Sequence, residues 1–202
     1  MNPTRRLIAA ALSALAVGAG ALGLAGPAAA HPEDMAVGRA NAPVTVIAYM
    51  SVTCPHCADW HADVWPAFKA KYVDSGKVKF VLRELPTAPA EYAYGGFLVA
   101  RCAGPQYFKV LDALFQGQAA MFSSDDVQTW LINAGAAGGL NADRVRACST
   151  DEAAFNAMNA RIQANVEDLP VRGTPAFFID GQAVEQELAA LSAAVDARLA
   201  GR

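Results

Sequence analysis

Cys54-Pro55-His56-Cys57 stands where an apolar, β-branched run (Val44, Val46, Ile47, Tyr49) gives way to residues with helical spacing. A chain built this way has to end a strand and start a helix at the dithiol, which puts Cys54 at the helix N-terminus. Unpaired backbone N–H groups and the positive end of the helix dipole there favour a thiolate. The Cys54 pKa is therefore expected well below the ordinary value of about 8.5. A thiolate is the attacking form in disulfide exchange, so the position of the pair already selects a chemistry.

The flanking pattern supplies a frame. Met35 to Gly38 reads as a short strand, Asn41-Ala42-Pro43 as a turn and Val44 to Met50 as the main strand. After the dithiol, Val64, Phe68 and Tyr72 recur beside Trp60 and Trp65 on one helical face, with a kink expected at Pro66. Asp74-Ser75-Gly76 ends that helix and Val78 to Leu82 forms the next strand, parallel to the first. From Ala88 to about Asp168 the pattern is helical. Expected helices are Ala90 to Cys102, Tyr107 to Gln116, one opened by Ser124 with Asp125 and Asp126 that passes Trp130 to Asn133 and is stopped by Gly135, Ala142 to Ala147 capped by Asn141, and one opened by a Ser149/Glu152 capping box that reaches roughly Val166. Ala176 to Ile179, the turn Asp180-Gly181 and Ala183-Val184 return to the sheet, and Glu185 to Leu199 closes the chain as a helix with Leu188, Leu191, Val195 and Leu199 on one face.

Gly173-Thr174-Pro175-Ala176-Phe177-Phe178-Ile179 lies about 120 residues after the dithiol. That segment is similar to the one in which thioredoxin-fold proteins carry a cis-proline facing their dithiol. Cys54-Pro55-His56-Cys57 resembles the active-site tetrapeptide of the DsbA-like thiol:disulfide oxidoreductases, and the two motifs in this order cover roughly residues 35 to 200. The fold class expected is α/β, a thioredoxin fold with an inserted α-helical domain. The domains are residues 31–85 with 168–202 for the thioredoxin-like part and 86–167 for the insertion.

The resemblance implies an active site of Cys54 as nucleophile, Cys57 as resolving thiol, Pro55 rigidifying the first helical turn, His56 tuning the thiolate, and Thr174-Pro175 joined by a cis bond. It implies catalysis without a cofactor or metal, reduced or partly folded secreted proteins as substrates, and a quinone-linked membrane redox partner. It also pairs Cys102 with Cys148, as in a subset of the family; two free thiols are the alternative. Thr174 is closer to the isomerase-type relatives than to the strongest oxidase, which has valine. Ala48 stands where many members place a buried glutamate.

Export is read from the first 30 residues. Arg5 and Arg6 precede an Ala/Leu-rich run from Leu7 to about Leu24, and Pro27-Ala28-Ala29-Ala30 is a small-residue cleavage site before His31, the pattern of a signal peptide rather than an anchor. The expected location is periplasmic or otherwise exported, where disulfides persist. Removal of the leader leaves 14 basic against 19 acidic side chains, with no basic cluster suited to nucleic acid. A monomer is expected. His31 reads as part of a flexible terminus, His61 as a helix-surface residue, and Trp60, Trp65 and Trp130 as core or groove lining. Two other functions fit parts of the pattern: an isomerase or reductase of the same fold, and a thiolate metal-binding protein in which Cys54 and Cys57 are joined by a histidine or by Cys102 and Cys148.

Overall fold

The computed structural model describes residues 30–201. The expected signal peptide lies, but for Ala30, outside them. β2 (Val44–Met50) is the central strand and is buried on both faces. It pairs in parallel with β3 (Val78–Glu84), Val44 opposite Val78 and Met50 opposite Glu84, and antiparallel with β4 (Ala176–Ile179), Ile47 opposite Phe178. β1 (Met35–Val37) lines the far edge of β3 and β5 (Gln182–Val184) that of β4, giving the order β1-β3-β2-β4-β5. The β4–β5 turn is Asp180-Gly181, both at positive φ (51° and 76°), the hairpin geometry that Asp-Gly supplies.

The alternation of side chains along β2 divides the interior. Val46, Ala48 and Met50 face the larger core with Trp60, Trp65, Phe68 and Phe80, whereas Ile47 and Tyr49 face a smaller one with Val81, Leu169 and Phe178. β3 runs two residues beyond the expected Leu82 because both extra side chains are buried charges with partners. Arg83 is fully buried, its Nε 3.1 Å from Asp34 and its Nη1 3.0 Å from Asp168. Glu84 accepts from Arg101 Nε at 2.5 Å and from the Tyr107 hydroxyl at 3.2 Å.

α1 (Pro55–Asp63) follows β2 directly, with Cys54 at its N-cap and Pro55 in its first turn, where the missing N–H costs nothing. The break expected at Pro66 falls at Val64, just before the ring: α2 (Trp65–Phe68) restarts there and ends in a π-helical turn, Lys69–Val73. α3 (Ala90–Cys102), α4 (Tyr107–Ser124), α5 (Val127–Ala137), α6 (Ala142–Ser149) and α7 (Glu152–Asp168) form the block between β3 and β4, and α8 (Leu188–Ala200) packs Leu191 and Val195 into the larger core.

Several helix ends differ from the sequence reading, each for a local reason. α4 continues through Gly117, where a Cβ would lie 2.9 Å from Trp130 of α5, so this glycine permits close packing instead of ending the helix. Ser124 closes α4, and Asp126 is the cap of α5, its Oδ1 accepting from Thr129 N at 2.9 Å. Gly135 does not stop α5; a Cβ there would meet Val145 of α6 at 2.3 Å. Asp151, not Ser149, caps α7 by accepting from Ala154 N. Glu185 and Gln186 stay outside α8, and the Gln186 carbonyl accepts from the Trp60 indole at 2.8 Å.

Two histidines are also corrected. The side chain of His61 is only 11% exposed, packed between Trp65 and Phe115, with Nε2 3.0 Å from Asp112. His31 is tied down, its ring to Asp168 and its backbone N–H to Asp34. Trp60, Trp65 and Trp130 lie in the core.

Candidate active site

The end of the central strand and the first turn of α1 place the two sulfurs unequally. Cys54 retains 7% of its surface and Cys57 none, while Pro55 and His56 between them are exposed. Both thiols are free. The Cys54 carbonyl accepts from the Cys57 and Ala58 N–H groups at 3.1 and 3.2 Å, and the Cys54 N–H donates to Ser51 at 3.2 Å. The His56 and Cys57 N–H groups of this turn also lie toward the Cys54 sulfur.

The loop before β4 reaches the same spot. Thr174-Pro175 is joined by a cis peptide bond, and the Cys54 thiol donates to the Thr174 carbonyl at 3.3 Å, across 120 residues of sequence. Thr174 Oγ1 is buried and meets no partner at hydrogen-bonding geometry. A groove lined by Val171, Thr174, Pro175, Phe177, Val184 and Gln186 runs along the outer side of the loop.

These contacts separate the two acidities. The Cys54 pKa is lowered to about 5, chiefly by the Cys57 thiol donating to it, against the opposing cost of burial; Thr174 and the backbone N–H groups of Cys57 and His56 add to the lowering. Burial pushes the Cys57 thiol far up, and the neighbouring Cys54 sulfur adds to that. The result is one thiolate and one protected thiol. The groups lowering Cys54 are uncharged: of His56, the backbone N–H acts and the exposed ring is not among the causes.

Sequence reasoning did not find the groups that hold this loop from behind. Ser51 and Thr53 are buried. Ser51 Oγ accepts from the Thr87 N–H at 3.1 Å, and Thr53 donates to the Thr87 carbonyl at 2.9 Å. Gln118 of α4 donates to the carbonyls of Val52 and Cys54. A Ser-x-Thr ahead of CxxC was visible as a polar pair in an otherwise apolar strand end; a glutamine within a long helix carried no such signal. Ala48, fully buried, faces Leu82 and Phe177 across the sheet and offers no proton-transfer group.

Cys102 and Cys148 lie remote in sequence from the dithiol and are bonded to each other, tying the end of α3 to α6 with Cα atoms 6.1 Å apart. The four-thiolate metal site therefore does not assemble here. Among the described residues no three His, Cys, Asp or Glu side chains gather to hold an ion, and no helix is long and apolar enough to cross a membrane.

The chain is similar to known proteins over most of these elements. A family model described as Thioredoxin matches residues 30–197. A putative protein-disulfide oxidoreductase of Rickettsia bellii is 28% identical over 166 residues, 81% of this chain and 63% of the relative. The Rickettsia typhi protein of the same description is matched over 62% of its length, so the chain spans less than two thirds of these relatives. A probable disulfide bond formation protein D of Bacillus anthracis is 22% identical, with 84% and 80% of the two chains covered. Among solved structures, alpha-DsbA1 of Wolbachia pipientis superposes with a TM-score of 0.74 at 25% identity, covering 85% of this chain and 94% of that one. Oxidised BdbD of Bacillus subtilis shares the fold, with a TM-score of 0.61 at 15% identity and 88% and 94% covered.

Proposed function

Because the chain belongs to the thioredoxin family and has the fold of its DsbA-like members, with a block of helices set into the sheet, we propose that it is a thiol:disulfide oxidoreductase working as a dithiol oxidase. The observation that carries this reading is the unequal dithiol: Cys54 at a helix tip with its pKa near 5, Cys57 enclosed, and the carbonyl before a cis-proline 3.3 Å from the outer sulfur.

In the oxidised protein a substrate thiolate attacks Cys54 Sγ, the Cys54–Cys57 bond breaks, and Cys57 leaves and takes up a proton. A second substrate thiolate then attacks its own sulfur in the mixed disulfide and expels Cys54. Two electrons pass from substrate to dithiol, and the substrate disulfide forms. The low pKa of Cys54 makes it a good leaving group in that second step and stabilises only the reduced enzyme, which drives transfer toward the substrate. The groove beside Thr174-Pro175 suits an extended, unfolded segment, whose backbone would pair with that of residue 174.

The wider reading rests on the leader sequence and the family resemblance. The enzyme is exported after removal of residues 1–30, acts as a monomer on reduced secreted proteins, and is reoxidised by a quinone-linked membrane partner. Residues 86–167 act as a helical domain over the dithiol. Cys57→Ala should trap a mixed disulfide with an unfolded substrate that carries a disulfide, the Cys54 thiolate attacking one substrate sulfur and expelling the other as a thiolate, and Cys54→Ala should trap none. Trapping through Cys57 instead, or equal trapping by both, would overturn the assignment. Refolding of a scrambled, fully oxidised substrate distinguishes an oxidase, which leaves it scrambled, from an isomerase.

A further inference from the structure

The largest polar intrusion into the reactive loop comes from a residue with no side chain exposed to substrate. Gln118 sits midway along α4, 3% exposed, and its Nε2 donates to the Val52 carbonyl at 2.8 Å and to the Cys54 carbonyl at 3.1 Å. One amide nitrogen carries two hydrogens, so each carbonyl takes one, and the Val52–Thr53 and Cys54–Pro55 peptide groups are held at a fixed separation. α3 closes the other side: a Cβ on Gly96 would lie 2.9 Å from Val52 Cγ2.

We propose that Gln118 is the positioning residue through which the helical block sets the geometry of the dithiol, its amide fixing the turn that presents the Cys54 sulfur to the N–H groups of α1. This rests on the Cys54–Cys57 exchange proposed above. The Cys54 carbonyl belongs to the same turn that aims those N–H groups, since it accepts from Cys57 and Ala58. Rotating that peptide swings the sulfur away from its donors. A glutamine suits the task because it supplies two donors without a charge, leaving the thiolate stabilised by dipoles alone. A glutamine that only satisfied two buried carbonyls would affect stability and leave the acidity of Cys54 where it is.

Gln118→Met keeps the length of the side chain and removes both donors. The expected result is a rise in the Cys54 pKa of about one unit, read by thiolate absorbance at 240 nm, and an approximately tenfold shift at pH 7 toward the protein disulfide in equilibrium with glutathione. Gln116→Met, exposed on the same helix, leaves both unchanged. A folded Gln118→Met protein with both quantities within twofold of the unsubstituted chain would overturn the proposal. Should that variant not fold, the unsubstituted protein still decides: the Gln118 side-chain amide resonance follows the ionisation of Cys54 in a pH titration of the reduced form, and an amide that does not move refutes the coupling. A chain that exchanges no disulfides but shows this titration would sink the proposed function and uphold the positioning role.

Discussion

Lowering the pH should remove the oxidising advantage of this dithiol, and the size of the loss is set by one number. With Cys54 ionising at about 5, the reduced protein at pH 7 lies two units above that pKa. It is favoured about 100-fold over a chain whose thiol is still protonated, roughly 2.7 kcal/mol. For a two-electron couple this is about 60 mV. The sign follows from the depressed pKa: stabilisation of the reduced, folded state is complete only above the unfolded thiol pKa of about 8.5, and it is lost as pH falls through 5.

Below pH 5 reduction takes up two protons and the potential falls by about 60 mV per pH unit; above it only one proton is taken up and the slope halves. Glutathione stays protonated through pH 4 to 8. The equilibrium constant for oxidation of glutathione by the protein should therefore be flat below pH 5 and rise tenfold per unit above it. Mass spectrometry of acid-quenched, alkylated mixtures reads the ratio directly. A flat ratio up to pH 8 would show an ordinary thiol and refute the reasoning from the helix tip.

Three further outcomes are expected. The double variant Cys102→Ser with Cys148→Ser loses a crosslink spanning 46 residues, worth about 4 kcal/mol on the chain-entropy model, and should unfold at lower denaturant while the Cys54 titration stays in place. Arg83→Met leaves Asp34, whose side chain is 4% exposed, without its guanidinium; denaturation should show a loss of about 3–5 kcal/mol, and a loss under 1 kcal/mol would mean the pair is not buried as described. Burial holds the His61 pKa down to about 4, although Asp112 lies 3.0 Å away, so the unfolded chain takes up this proton first as pH falls. About 2 kcal/mol of stability should disappear between pH 7 and 5, and His61→Phe should abolish that part of the pH dependence.

The parts of this molecule governed by local rules were legible in its sequence. Val44 to Met50 is a strand over the same residues because seven consecutive residues fit a doubly buried position, and Asn141 caps α6 because its side chain finds the Arg144 N–H within one turn. The dithiol was legible for the same reason: its chemistry follows from a strand-to-helix junction. Features set by packing between distant segments were not. Gly135 looked like a helix stop because nothing in the sequence reveals Val145 pressing on it. Arg83, Glu84 and Gln118 belong to residue types found mostly at surfaces, and only the fold brings Asp34, Arg101 and the Val52 carbonyl to meet them. The cis bond at Ala88-Pro89 had no counterpart in the motifs.

The strand that delivers the reactive loop is flanked on either side, by β3 and by β4, so it has no frayed border from which to peel. Segments of that kind open only when the whole domain does. The inner sulfur, one turn into the helix that follows and with none of its surface exposed, is kept from bulky electrophiles and stray oxidants. An incoming thiolate would meet the outer sulfur alone, with the enclosed one lying behind it.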